Sequence, residues 1–334
     1  MIWRGRKVLV TGGAGFLGSN LCHLLGRRGA EVTALDAMLP QMGANLRNLE
    51  GSGARLVEID LRSDDRLLRE LCDGTEVLFN FAAQTSHAGS MHDPLLDLTI
   101  NTTIQLHLIE AMRQVAPRAA VVHASTRQFY GRPQYLPVDE RHPIVPPDAN
   151  GVSKFAGEQY WLLEQRVRDR PVTSLRLTNC YGPRLRVKDA RQTFLGIWLR
   201  RVLEGDPFEV WGGEQLRDLA YADDVVEAFM LAGTCLLGGL DRPGVEGCNG
   251  RVFNIGGDAP MSLLALADLL IETVGTGRYD VRDFPEDKRA IDIGSFHADD
   301  SAFRAATGWE PRVPLRDGLR RTLDWFRPRL GQYL

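Results

Sequence analysis

Along the first 180 residues, short and nearly continuous apolar runs alternate with stretches whose apolar positions recur at helical spacing. The runs are KVLVTG (7–12), AEVTALD (30–36), ARLVEID (54–60), EVLFNFAA (76–83), AAVVHAS (119–125) and VTSLRLTN (172–179). Aliphatic, β-branched runs with little polar alternation predict parallel strands covered on both faces. Between them, segments such as PLLDLTINTTIQLHLIEAMR (94–113) carry one apolar face and predict helices. Strands alternating with helices predict an α/β fold with a doubly wound parallel sheet. After about Gly182 the pattern changes, and Pro183, Pro207, Pro243 and glycine turns break up shorter elements. This places a first domain over 1–180 and a smaller α/β lobe mainly over 181–334, with parts of 215–260 returning to the first. The stretch LLGGLDRPGVEGCNGR (236–251) reads as a mobile surface loop.

Composition narrows the class. The chain has 334 residues, 44% hydrophobic and 25% charged, with a net charge of -3. No broad basic field calls for nucleic acid or anionic lipid. No apolar run reaches the ~18 residues of a membrane span, and the N-terminus lacks a signal peptide's apolar core. The five cysteines are scattered and never spaced CxxC, which argues against a metal site and for a reducing cytoplasm.

The first chemical signal is VLVTGGAGFLGSNL (8–21). Gly12, Gly15 and Gly18 close a strand and open a helix. They supply a tight turn, close approach of a pyrophosphate to the helix N-terminus, and close helix–strand packing. Asp36 follows Gly18 by 18 residues, at the end of the second run. This context is the dinucleotide-binding fingerprint and makes the sheet Rossmann-type. Asp36 suits ribose hydroxyls and repels a 2′-phosphate, and Ala37 and Met38 add no arginine, so NAD is favoured over NADP. Asp60 and Leu61 end the third run and are placed to cap the adenine. Ala82, Ala83 and Gln84 end the fourth, beside the cofactor backbone.

With those residues in hand, the chain resembles an extended short-chain dehydrogenase/reductase of the NAD-dependent epimerase/dehydratase family, in its UDP-glucose 4-epimerase-like branch. The resemblance spans nearly the whole chain. It runs through TGGAGFLG (11–18), Asp36, FAAQ (81–84), Asn101 in LTINTTIQ (98–105), ASTRQFYG (124–131) and GVSKFAGE (151–158). It continues through SLRLTNCYGPR (174–184), QLRDLAYADDVVEAF (215–229), VFNIGG (252–257) and GWEPRVPLRDGLRRTLDW (308–325). It implies cofactor contacts from the glycine turn with Phe16 and Leu17, from Asp36, Asp60, Leu61, Ala82, Ala83, Gln84 and Asn101, and from Lys154. It also implies a chemistry: NAD takes hydride from a sugar carbon, usually C4, while a tyrosinate removes the hydroxyl proton. A lysine, here Lys154, holds the nicotinamide ribose and lowers the tyrosine pKa. A serine or threonine, here Thr126 with Ser125 before it, bonds the reacting oxygen.

The departure is at position 150. The family keeps its tyrosine four residues before the lysine, on the same helix face, and this chain has Asn150 there. An amide orients by hydrogen bonding but is no general base near neutral pH. Three readings compete: relocated acid/base chemistry, chemistry that needs no base there, and a cofactor-bound sensor without turnover. His87, in the loop after the fourth strand, is the best substitute base because an imidazole can serve as base and acid in turn. Tyr130 is the other phenol, matched in the family by a residue that is usually structural. Arg127 and Gln128 stand where the family's 4,6-dehydratases carry an Asp-Glu pair, which disfavours that subtype. The sugar-acid decarboxylases' glutamate is absent too. Arg127 is itself a candidate anion partner.

The resemblance places the diphospho-sugar against Asn179, Arg217 and, less directly, Arg289. The basic run RVKDARQTF (186–194) adds Arg186, Lys188 and Arg191 just before a helix, and Gln192 and Thr193 near that helix start suit the base or ribose. The expected enzyme is an NAD-dependent nucleotide-sugar epimerase, cytoplasmic, acting on a nucleotide-diphosphate sugar through a keto intermediate. The family further implies a homodimer built on helices near 95–113 and 150–168. The different-class alternative is a non-catalytic NAD and sugar-nucleotide binding protein.

Overall fold

The computed structural model describes residues 2–39, 42–62, 65–240, 246–257 and 259–334. Residues 241–245 of the loop expected at 236–251, Pro243 among them, lie outside these.

All six predicted runs are strands: β1 (Lys7–Thr11), β2 (Glu31–Asp36), β3 (Arg55–Glu58), β4 (Val77–Asn80), β5 (Ala120–Thr126) and β6 (Val172–Leu177). A seventh, β7 (Val252–Ile255), pairs with β6. The order is 3-2-1-4-5-6-7 and every pairing is parallel. This is a doubly wound sheet whose order reverses between β1 and β4, where a ligand crevice opens beyond the strand C-termini.

Side chains alternate across the sheet with period two, so each strand feeds two cores. Val8 and Val10 of β1 and Phe79 of β4 face helices α1 (Phe16–Arg27) and α8 (Ala222–Leu236) through Leu21, Leu25, Val225 and Phe229. Leu9, Leu78 and Val121 face the other way. There they meet α2 (Asp65–Cys72), α5 (Ile104–Val115) and α6 (Ala149–Arg168) through Leu68, Met112 and Trp161. Between α2 and α5 come α3 (His87–His92) and α4 (Pro94–Leu98).

The helix predicted over 94–113 is not one regular helix. It is α4, a π-helical turn at Thr99–Thr103, and α5. The Thr102 hydroxyl leaves the local ladder and donates to Ser153 O at 2.8 Å. A Cβ at Gly157 would come within 2.5 Å of the Asn101 carbonyl oxygen, so α6 lies close against this turn. Beyond β6, α7 (Phe194–Glu204), Leu263–Val274 and Leu315–Phe326 share a separate core with Tyr181, Trp198, Phe208 and Leu319.

Candidate active site

A cleft holding about 1640 Å³ of empty space, partly open to solvent, runs along the C-terminal edge of the sheet. Sheet order puts the β2 and β3 ends on one side of it and the β5 and β6 ends on the other. Gly12, Gly15, Phe16, Leu17, Gly18, Asp36, Asp60, Leu61, Ala82 and Ala83 line the first part. His87, Ser125, Thr126, Asn150, Lys154, Asn179 and Gln192 line the rest.

The glycine turn fits a dinucleotide. Gly12 has φ +64, and a Cβ there would lie 2.9 Å from Ala82 N. A Cβ at Gly18 would run into the Gly12 carbonyl oxygen. Gly15 caps α1 with no side-chain bond and no acidic residue in the first turn, so the leading N–H groups remain for a pyrophosphate. Asp36 accepts from Ala14 N and Met38 N, both at 3.0 Å, which fixes its carboxylate at the β2 end. Burial holds its carboxyl above the usual range, against those bonds. Arg62 also lines the cleft, but Asp60 holds it in a fork at 2.9 and 2.6 Å. That cation is already neutralised, which suits NAD over a 2′-phosphate. Asp60 thereby commits its carboxylate to Arg62, leaving backbone and Leu61 to face the ring.

Two expected cofactor contacts stand behind the cleft rather than in it. Asn101 Oδ1 accepts from Gln84 N at 3.0 Å, and its Nδ2 donates to Asp97 Oδ1 at 2.9 Å. Both Gln84 and Asn101 are buried. Their role is to hold the loop after β4.

Asn150 is also fully buried. Its Nδ2 donates to Gln84 O and Asp97 Oδ1, each at 3.0 Å, and its backbone N donates to Ser90 Oγ at 3.1 Å. Both amide protons therefore have acceptors. Oδ1 has no donor among the described residues, so the face that Asn150 offers the cleft is an acceptor.

His87 sits close by. Its Nδ1 lies 2.9 Å from Asp148 Oδ2, off the line of a good hydrogen bond, so the contact is electrostatic. Asp148 caps α6 through Gly151 N at 2.7 Å and accepts from Gln128 Nε2 at 2.9 Å. Burial opposes its ionisation, but His87 and these donors outweigh burial and hold its carboxyl below the usual range. With Nδ1 facing Asp148, Nε2 is the nitrogen left for the cleft. A carboxylate beside an imidazole nitrogen is the pairing that, once aligned as a hydrogen bond, sets a histidine for proton transfer.

Lys154 reaches the same space. Burial pushes its ammonium down from 10.5 to about 8, although Asp97 partly supports the charge. Keeping this lysine charged costs folded-state stability below about pH 8. That cost fades as pH rises from about 8 to 10.5. The cofactor-free protein should therefore gain melting temperature across that window relative to Lys154→Met, which has nothing to titrate there. Parallel melting curves of both proteins would expose the error. Thr126 Oγ1 accepts from Gln128 N at 3.1 Å, which leaves its hydroxyl proton to donate. Tyr130 is not in the cleft. It is buried, takes a 2.7 Å bond from Arg176 Nη1 and donates to Asn254 Oδ1 at 2.9 Å. Burial pushes its phenol up to about 12, so it is structural. Cys180 lines the cleft, and burial likewise pushes its thiol to about 12.

The expected substrate arginines are dispersed. Arg217 is buried behind the wall, its Nη1 donating to Leu216 O and Gly294 O and its Nη2 3.4 Å from Asp292. Arg289 lies on the short helix Glu286–Arg289 and, among the described residues, donates to Phe284 O at 3.4 Å. Arg191 is exposed beside Asp189. Gln192 does line the cleft, and its Oε1 accepts from Arg186 N at 3.2 Å. The residues the sequence reading passed over are Asp148 and Asp97. Asp148 carried a signal, an N-cap aspartate before a helix. Asp97 carried only its place one turn before Asn101.

The comparisons with known proteins agree with this geometry. Residues 8–256 match the model of the NAD dependent epimerase/dehydratase family. A UDP-glucose 4-epimerase of Mycolicibacterium smegmatis is 32% identical over 330 residues, covering 96% of this chain and 98% of that protein. The UDP-glucose 4-epimerase of Thermus thermophilus, solved as a complex with NAD, is 31% identical, with a TM-score of 0.81 over 97% of this chain and 99% of that one. The UDP-glucose 4-epimerase of Thermotoga maritima, solved with UDP-glucose, is 29% identical, with a TM-score of 0.84 over 97% and 99%. The chain belongs to the NAD dependent epimerase/dehydratase family.

Proposed function

We propose that this chain is an NAD-dependent nucleotide-sugar 4-epimerase in which His87, oriented by Asp148, moves the proton that a tyrosine moves elsewhere in the family. The observation that carries this is the His87–Asp148 contact of 2.9 Å beside Asn150, in the cleft that also holds Lys154 and Thr126. NAD, when bound, supplies reversible acceptance of hydride from a sugar carbon. The glycine turn and Asp36 hold its diphosphate and ribose, and Lys154 steadies the nicotinamide end. Thr126 donates to the reacting oxygen. His87 Nε2 takes the hydroxyl proton as the carbonyl forms and returns it after the sugar has turned over. Asn150 Oδ1 orients a hydroxyl and transfers nothing. Gln192 and the start of α7 suit the nucleotide.

The test is incubation with a panel of nucleotide sugars in D2O, read by NMR. Inversion at C4 without carbon-bound deuterium is expected. Deuterium at C3 or C5 would replace this reading with enolisation or dehydration. Tight binding with no turnover across the panel would replace it with a cofactor-bound sensor.

Two further parts of the reading concern the assembly and its place. Leu95, Leu98 and Leu106 around α4 and α5, and Val152, Tyr160, Leu163 and Val167 on α6, are exposed apolar side chains. Such a stripe on two neighbouring helices supports a homodimer closed as a four-helix interface. Light scattering should give twice the 37.2 kDa of one chain, and Leu163→Glu should return the monomer; a wild-type monomer would end this part. The location proposed is the cytoplasm, supported by five free cysteines, and fractionation of cells tests it. No helix among the described residues is long and apolar enough to cross a membrane.

A further inference from the structure

Arg127 follows Thr126 directly and lines the same cleft. Its Nη2 donates to Asn179 Oδ1, and its guanidinium lies over the Phe296 ring, 4.8 Å from the centroid. Nη1 is shielded from solvent and meets no acceptor among the described residues. The nearby charges do not pair with it. Asp218 is engaged by Thr178 Oγ1 and by Ala298 N at 3.0 Å. Asp292 is taken by Arg217 and by Gly294 N at 2.9 Å. Burial, and then the like charge of Arg217, push the Arg127 guanidinium down to about 10. A half-buried cation with a shielded, unpaired Nη1, whose one polar partner among the described residues is a neutral amide, is costly unless an anion joins it.

We propose that Arg127 reads a carboxylate on the sugar, so that the chain prefers nucleoside-diphosphate uronates to neutral hexoses. This rests on the nucleotide-sugar reading above. Position decides between carboxylate and diphosphate. Arg127 is one residue from Thr126, which that reading sets against the reacting oxygen. Gln192 and Thr193, at the N-terminus of α7, line another part of the cleft and suit a phosphate. A planar carboxylate matches the guanidinium fork.

The experiment is calorimetric titration of the NAD-loaded protein with UDP-glucuronate, UDP-glucose, GDP-mannuronate and GDP-mannose. Each is repeated on Arg127→Gln and Arg127→Lys. For the base that binds, the uronate should bind roughly tenfold to a hundredfold tighter than its neutral counterpart, the range for a hydrogen bond to a charged group. Arg127→Gln should erase that preference, weakening the uronate far more than its neutral counterpart. Arg127→Lys should keep part of it, and it carries the test should the glutamine variant not fold. Equal weakening of both sugars in Arg127→Gln would mean that Arg127 serves the diphosphate, and it overturns the proposal. So does a wild-type protein that binds neutral sugars as well as uronates, which would leave the nucleotide-sugar reading standing. Binding of none of the four overturns both.

Discussion

His87→Gln should lower turnover by a factor on the order of 10²–10⁴, the usual share of a positioned general acid–base group. The argument is geometric before it is electrostatic. Among the side chains near Asn150, Asn150 has its amide protons committed and Tyr130 is sealed behind the sheet. Cys180 is held neutral by burial. Among the described residues lining the cleft, His87 is the one imidazole, with a side chain 41% accessible and a fixed carboxylate 2.9 Å from its Nδ1, whereas Lys154 is committed to the cofactor end in this reading. Glutamine keeps comparable length and hydrogen-bonding capacity but carries no titratable proton. NAD and sugar-nucleotide affinities should therefore persist while the rate collapses. Asp148→Asn should cost less, since it loosens the ring without removing it. Steady-state rates with the nucleotide sugar that the panel identifies decide the matter. A glutamine variant as active as wild type would sink the assignment.

The second large effect concerns the wall behind the cleft. Arg176, on β6, meets Glu158 on α6 through two contacts, Nη2–Oε1 at 2.6 Å and Nε–Oε2 at 3.1 Å. Glu158 is 0% exposed and Arg176 4%. The guanidinium also donates to the Tyr130 hydroxyl and lies over the Phe129 and Tyr130 rings at 4.8 and 5.2 Å. Removing one partner of such a pair strands the other charge in a low-dielectric interior and costs about 3–5 kcal/mol. Glu158→Leu should therefore lower the melting temperature by roughly 10 °C for a chain of this size. Glu158→Leu combined with Arg176→Leu should recover much of the loss, because the stranded charge is gone. Calorimetry on the two variants is the check. A shift in the single variant no larger than in the double one would show that lost packing, and not the stranded charge, sets the cost.

Much of this architecture was readable from the chain, and the reasons are physical. The six strand runs and the glycine turn are local signals, in which period, β-branching and glycine sit within a few residues of each other. What escaped the sequence depends on distance or on one extra residue per turn. The helix at 94–113 reads as continuous because a π turn barely disturbs apolar spacing, yet that turn carries the Asn101 side chain, which accepts from Gln84 N. Asp148 lies two residues before Asn150 but 61 after the residue that gives it meaning: its partner is His87, at the start of α3. Arg217 sits in the expected motif, but Asp292 and Gly294 turn it from the cleft. Motif position fixes a Cα, and tertiary partners fix the guanidinium.

The bonding of Asn150 also bears on how such a chain could change over generations. Its amide ties the loop after β4 and α4 to the start of α6, and its backbone N adds Ser90 of α3 to the same knot. Replacing it alone with tyrosine would leave the Gln84 carbonyl and the buried Asp97 carboxylate each short a donor, so the ancestral-looking residue would arrive as a defect. Changing Asp97 first should ease that loss, because it removes the buried carboxylate that the amide serves. The order of the two substitutions should therefore matter, and melting curves of the two mutational orders would read that asymmetry directly.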